Sequence, residues 1–258
     1  MNKIFAVAGV VIRELYRRKD FYVLFFLTVL ITVLMWSMNF FHDDHIIRFI
    51  KEFCLMLVWI SSLVIAITTA ARQIPFERES RTIFPLLAKP ISRWQVLVGK
   101  FVGCWLATGV ALLVFYIFFG LVSASREHSL HFDSYVQALW MHWQLLGIVV
   151  AMTMLGSVVL SAPSANITFV FVITLAILAM GGFLHKLAQG MSEPAASLLT
   201  AIYFIIPHLE LFNLSTLVTH DWPVSNWLDV LAATLYGLAY MAFFLLAACM
   251  VFRRKALN

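Results

Sequence analysis

The residues able to do chemistry are few in this chain and unevenly placed. Eight histidines occur: His42, His45, His128, His131, His142, His185, His208 and His220. All read as lying at or near one side of a membrane. Two pairs, His42–His45 and His128–His131, have the i, i+3 spacing that could set two imidazoles on one metal ion. Histidines in polar loops beside acids look the same, and no metal site is assigned. Thr28, Thr32, Ser61, Ser62, Thr68, Thr69, Thr153, Ser157 and Thr168 lie inside apolar runs. None has a charged neighbour in sequence that would make it a nucleophile. Such hydroxyls bond back to helix carbonyls or across to another helix. Cys54, Cys104 and Cys249 stand alone in apolar sequence, which indicates neither a disulfide framework nor a thiolate metal site. A phosphate-binding loop needs a glycine-rich run ending in Gly-Lys-Ser/Thr, so that amides and the lysine surround the phosphates. Gly99–Lys100 is followed by Phe101, with Trp94 where the first glycine should stand. No catalytic or cofactor-binding residue is assigned, and nucleotide chemistry must belong to another polypeptide.

The stretch Arg72–Lys100 reads RQIPFERESRTIFPLLAKPISRWQVLVGK. Pro85 and Pro90 forbid one long helix through it. Ser92 with Gln95 has capping-box spacing, so a helix is expected to start near Ser92. Between these marks lies an amphipathic piece, Arg81–Leu87, with Thr82, Ile83, Phe84, Leu86 and Leu87 behind Glu77, Arg78 and Glu79. Ile83, Phe84 and Leu87 share one helical face. An apolar knob rimmed by mixed charge suits a docking surface for a protein partner.

The elements that position these residues follow from composition. Of 258 residues, 62% are hydrophobic and 12% charged. A soluble domain carries about 25% charge, so a soluble enzyme, a disordered chain and a coiled coil are excluded. Crossing a bilayer takes about 20 apolar residues of helix. Six runs qualify: Phe21–Phe41, Phe53–Ala71, Phe101–Val122, Leu139–Leu160, Ile167–Leu184 and Val230–Phe252. The run Ala195–Ile206 stops at Pro207 and is too short, so it is expected to be re-entrant or interfacial. The N-terminal apolar positions Ile4, Phe5, Ala8, Val11, Ile12, Leu15 and Tyr16 form a helical stripe, expected to lie in the membrane interface. With six spans both termini share one side. That side carries Lys3, Arg13, Arg17, Arg18, Lys19, Arg72, Arg78, Arg81, Lys89, Arg93, Lys100, Arg253, Arg254 and Lys255, 14 of the 18 basic residues. The positive-inside rule makes it cytoplasmic. Trp140, Trp143, Trp222 and Trp227 are expected at outer span ends. The formal charge of +5 then sets orientation and implies no nucleic acid.

The run Ile74, Glu77, Glu79, Arg81–Thr82, Leu86–Leu87, Pro90, Ser92–Arg93, Gly99–Lys100 resembles the loop between the second and third spans of ABC-2 type transporter permeases. The resemblance is nearest to the NosY-like subgroup. Pro207, Glu210, Phe212 and Asn213 resemble the stretch before the last span of that subgroup. Arg81 departs from the pattern, standing where many relatives have a small residue. The resemblance implies an all-α integral membrane protein that is one permease domain. It comprises an interfacial helix (1–20), five spans with a coupling loop (21–184, loop 72–100), an external segment (185–229), and a last span with its tail (230–258). It implies a homodimer in a bacterial inner membrane that binds two ATPase subunits, which hold ATP and Mg. It assigns coupling to Glu77, Arg78, Glu79, Arg81, Thr82, Ile83, Phe84, Leu86 and Leu87. It implies transport, in the export direction, of a substrate the sequence leaves open. Two other readings stay open: a non-transporting membrane anchor for a cytoplasmic partner, and an intramembrane enzyme.

Overall fold

The computed structural model describes residues 2–17, 19–37, 44–79, 92–124, 132–189, 197, 200, 203, 205–219 and 224–254. The described elements are helical: α1 (Asn2–Arg17), α2 (Lys19–Ser37), α3 (Asp44–Ala71), α4 (Gln73–Glu79), α5 (Arg93–Ala124), α6 (Phe132–Val159) and α7 (Pro163–Gln189). A 3₁₀ turn (Leu209–Phe212), the short α8 (Ser215–Thr219) and α9 (Trp227–Arg254) follow. Among the described residues, four helical stretches are long and apolar enough to cross a bilayer: Arg48–Glu79, Arg93–Ala124, Phe132–Val159 and Trp227–Arg254. Phe21–Leu34 and Pro163–Ala179 are shorter apolar stretches. The protein is therefore a multi-pass membrane protein.

α6 is the hub, packed against α3, α5, α7 and α9. Leu145, Leu146, Ile148, Val149, Val150 and Ala151 on successive positions are all fully buried. A helix apolar all round and buried all round must lie inside the bundle. Helices in lipid gain little from burying apolar surface against each other, so close backbone approach and interhelical hydrogen bonds hold them together. Both devices are present. α1 crosses α5 on Gly99 and Gly103, where a Cβ at Gly103 would lie 2.8 Å from Val11 Cβ and 2.9 Å from the Ala8 backbone. The N-terminal stripe thus divides: Ala8 and Val11 are buried, while Phe5 and Ile12 are exposed. The sequence reading gave the whole stripe to lipid and did not include Val7, which packs over Gly99.

α5 and α6 are joined by a reciprocal tryptophan clasp. Trp105 Nε1 donates to the Trp143 carbonyl at 3.1 Å, and Trp143 Nε1 donates to the Trp105 carbonyl at 3.0 Å. The rings stack with centroids 4.8 Å apart. Gly109 and Gly147, each four residues beyond a tryptophan, leave the room: a Cβ at Gly109 would lie 2.5 Å from the Trp143 nitrogen. Trp143 therefore sits midway along α6, packed on α5, and not at an outer span end. Trp140 reaches α9 through Nε1 to Thr234 Oγ1 at 3.0 Å.

The segment between α7 and α9 enters the bundle. The Phe212 ring rests on Gly237, 3.1 Å from where a Cβ would be, and Leu209 and Phe212 are fully buried. Gly237 lies ten residues into α9, so this turn sits well along the helix. The chain then returns to Ser225, which Gln137 holds twice: its Nε2 donates to the Ser225 carbonyl at 2.9 Å, and the Ser225 N–H donates to its Oε1 at 3.1 Å. Most of Ala195–Ile206 lies outside the described residues.

Candidate functional site

The stretch Arg72–Lys100 is less of a loop than its prolines suggest. Pro75 has no N–H for the Ala71 carbonyl, so the helix breaks at Arg72 and restarts as α4, where proline fits the first turn. The Phe76 N–H donates to the Arg72 carbonyl at 3.0 Å and carries the helix through. On the far side α5 starts at Arg93. The Ser92 N–H donates to Gln95 Oε1 at 3.1 Å, the half of the capping box that protects the cap residue's own amide. Arg81, Thr82, Ile83, Phe84, Leu86 and Leu87 lie outside the described residues. Glu77, Arg78 and Glu79 are described, and they form the stem leading to that knob.

The stem is locked. Lys100 Nζ lies 2.8 Å from Glu77 Oε1, and its side chain is 5% exposed against 19% for Glu77. The same ammonium donates to the Gln73 carbonyl at 2.9 Å and to Gln73 Oε1 at 3.1 Å. Gln73 Nε2 in turn donates to the Thr69 carbonyl at 3.3 Å. All three donors of the ammonium are engaged, which is how a buried cation is tolerated. Glu77 thus faces inward, Arg78 is half-buried, and Glu79 is exposed. Beside them, Arg93 Nη1 donates to the Phe252 carbonyl at 3.2 Å. A cation at a helix C-terminus is favoured by the unpaired carbonyls there. The two shoulders 79 and 92 are therefore tied to each other through Lys100, and to the end of α9 through Arg93.

Sequence reasoning used Lys100 for orientation, for the phosphate-loop test and for the family resemblance, and missed this lock. The available signal was a lysine and a glutamate at the inner ends of two stem helices. It also placed His142 near the outer side. His142 instead lies buried in the middle of α6. Its Nε2 is 3.0 Å from Ser62 Oγ, its Nδ1 is 3.4 Å from the Tyr116 hydroxyl, and its ring stacks on Trp59 at 4.8 Å. Ser62 does have a basic partner, yet its Oγ also lies 2.9 Å from the Trp59 carbonyl. Ser61 beside it meets Thr28 Oγ1 at 3.1 Å. These contacts tie α2, α3, α5 and α6 together. Of the histidine pairs His42–His45 and His128–His131, His45 lies in the first turn of α3 and the other three lie outside the described residues. Among the described residues no cluster of three metal-ligating side chains occurs.

Residues 27–257 match the sequence profile described as "ABC-2 family transporter protein". No curated protein matches the chain.

Proposed function

Because the chain belongs to the ABC-2 transporter family, whose membrane domain is a permease subunit of an ABC transporter, we propose a specific division of labour for it. The chain is a six-span exporter permease, related to the NosY-like subgroup, with both termini in the cytoplasm of a bacterium and a re-entrant or interfacial segment at Ala195–Ile206. Phe21–Leu34 and Pro163–Ala179 supply the cores of the two spans beyond the four long helices. Two copies pair, and each binds one ATPase subunit that holds ATP and Mg. The chain itself does no nucleotide chemistry.

The observation that carries the reading is the locked stem beneath residues 80–91. A push on an exposed loop moves the spans only if the loop's roots are stiff. Lys100 fixes α4 to α5, and α4 continues the helix of α3. Closure of two ATPases against Arg81–Leu87 would therefore move α3 and α5 together. Phe84 and Leu87 fill a groove on the ATPase, and Arg78, Glu79 and Arg81 set register at its rim. Central apolar anchors dominate such interfaces, and rim charges contribute little each.

The test is co-purification with the Walker-motif ATPase encoded in a neighbouring reading frame, in wild type and in Lys100→Met. Wild type should retain the ATPase and stimulate its hydrolysis. Lys100→Met, where it still inserts, should retain the ATPase and lose stimulation. Full stimulation by a folded Lys100→Met protein would refute a role for the lock in coupling.

A further inference from the structure

A cavity of about 620 Å³ opens between α6, α7 and α9, roofed by residues 205–207. Its walls include Phe169, Ile173, Ile177, Pro207, Tyr240 and Phe244, and it is almost wholly apolar. That volume lies within the range of small-molecule sites, about 300–1,000 Å³. The Tyr240 hydroxyl donates to the Ile205 carbonyl at 3.3 Å and fixes the roof to α9.

One end of this groove is not apolar. The Tyr240 ring meets Tyr236 at 4.9 Å, Tyr236 meets His208 at 6.3 Å, and His208 meets Tyr203 at 4.3 Å. The His208 N–H donates to the Tyr236 hydroxyl at 2.9 Å. Beyond this aromatic row stands Glu210, three residues past the wall residue Pro207. Its Oε1 lies 3.9 Å from His208 Nδ1, beyond hydrogen-bond reach. Its Oε2 is buried and has no hydrogen-bond partner. Among the described residues no lysine or arginine pairs with it. The flanking turn packs on Gly237, well along α9. The Glu210 side chain is 32% exposed, so it can be reached from outside, and a carboxylate without a cation in an apolar bundle marks a ligand or ion path.

We infer that this groove and the row from Tyr240 to Glu210 form a binding site for an amphiphile with one positive charge. The apolar body lies between α7 and α9. The ammonium head sits against the tyrosine faces and within reach of the Glu210 carboxylate. Each part has its own physical reason. An ammonium is attracted to the electron-rich face of an aromatic ring. It supplies the counter-charge that the carboxylate lacks. A chain of methylenes matches the apolar walls of the groove and packs against them. An anionic head would meet Glu210 with the same sign, and a neutral head would leave Oε2 as it is. The inference rests on the permease reading and names the cargo class for it. A lipid with an amine headgroup and a free cationic amphiphile share this chemistry.

The experiment uses the full chain in phosphatidylglycerol nanodiscs, without ATPase, and radiolabelled dodecyltrimethylammonium as probe. Wild type should bind it saturably. Unlabelled probe should displace it, and dodecyl sulfate should not. Glu210→Gln should weaken the cationic probe by roughly tenfold while leaving competition by neutral dodecyl maltoside unchanged. Ile173→Trp, which fills the groove, should weaken both. Where Glu210→Gln does not fold, Tyr240→Leu carries the same expectation for the cation. Unchanged probe affinity in the folded Glu210 or Tyr240 variant would overturn the site, as would equal displacement by dodecyl sulfate. Phosphatidylethanolamine discs separate the sources. Reduced probe affinity there identifies the lipid headgroup as the occupant, and unchanged affinity identifies the free amphiphile; either result accords with a cation site. A failed binding assay leaves the permease reading to its co-purification test, and a failed co-purification leaves this groove intact.

Discussion

Glu77 and Glu210 are two carboxylates in one apolar bundle, each with one buried oxygen that lacks a partner, and they differ in whether a cation holds the other oxygen. Glu77 meets Lys100 at 2.8 Å, and that lysine is further held by two oxygens of Gln73. Glu210 has a histidine nitrogen at 3.9 Å and one buried oxygen without a partner. A filled ion pair makes a joint, and removing one member leaves the other stranded. An unfilled carboxylate makes no joint, and it stays open to a charge from outside. On the proposed reading, the paired region transmits force and the unpaired one receives a ligand.

The largest expected effect breaks the joint. Lys100→Met strands Glu77 and Gln73, and thermal unfolding in detergent should show a loss of roughly 3–5 kcal/mol. Pairing the substitution with Glu77→Gln should recover much of that loss. A double variant no better than the single one would show that the pair is not the joint.

A second polar site tests whether pairing, and not depth alone, sets the cost. His142 is 1% exposed where the Glu210 side chain is 32% exposed, and it is engaged by Ser62 and Tyr116. His142→Leu should cost about 1–3 kcal/mol by the same measurement, because two buried hydroxyls lose a partner. At Glu210 the same logic reverses. Glu210→Gln should leave stability within about 0.5 kcal/mol of wild type, or above it, because no internal partner is stranded. A large loss at Glu210 would mean that its carboxylate is a structural partner after all. A small effect is also expected at Arg78→Ala, a rim charge on the stem. ATPase affinity read by titration should change by no more than about 1 kcal/mol.

What the sequence made legible divides along a physical line. Helical class, membrane residence and the start of α5 at Ser92–Arg93 depend on local composition and capping, and local pattern carries them. The span limits were drawn too tightly, because apolar runs end where charges begin, but helices do not. α3 starts at Asp44 and takes in Arg48, Lys51 and Glu52, and α6 starts at Phe132. Which face of a span meets which neighbour was not legible. α2, α5 and α6 are apolar on every side, so no periodicity marks an inner face. The pairs Trp105–Trp143, Ser62–His142 and Glu77–Lys100 join residues 38, 80 and 23 positions apart, and nothing local announces them. Two signals were available. Gly99 and Gly103 show the small-x-x-x-small spacing that admits a crossing helix. Trp105–Gly109 and Trp143–Gly147 repeat one spacing on two spans. The expected docking knob, Arg81–Leu87, lies outside the described residues, and the stem beneath it gives it context.

The central claim is that this permease works through a separate ATPase seated on Phe84 and Leu87. Its most direct test is the Phe84→Ala, Leu87→Ala double variant, co-expressed with the neighbouring Walker-motif ATPase and purified beside wild type. Native mass measurement of wild type should give two permease chains with two ATPase chains. The double variant should insert and purify normally, and lose the ATPase. A double variant that holds the ATPase and stimulates hydrolysis like wild type would contradict the claim.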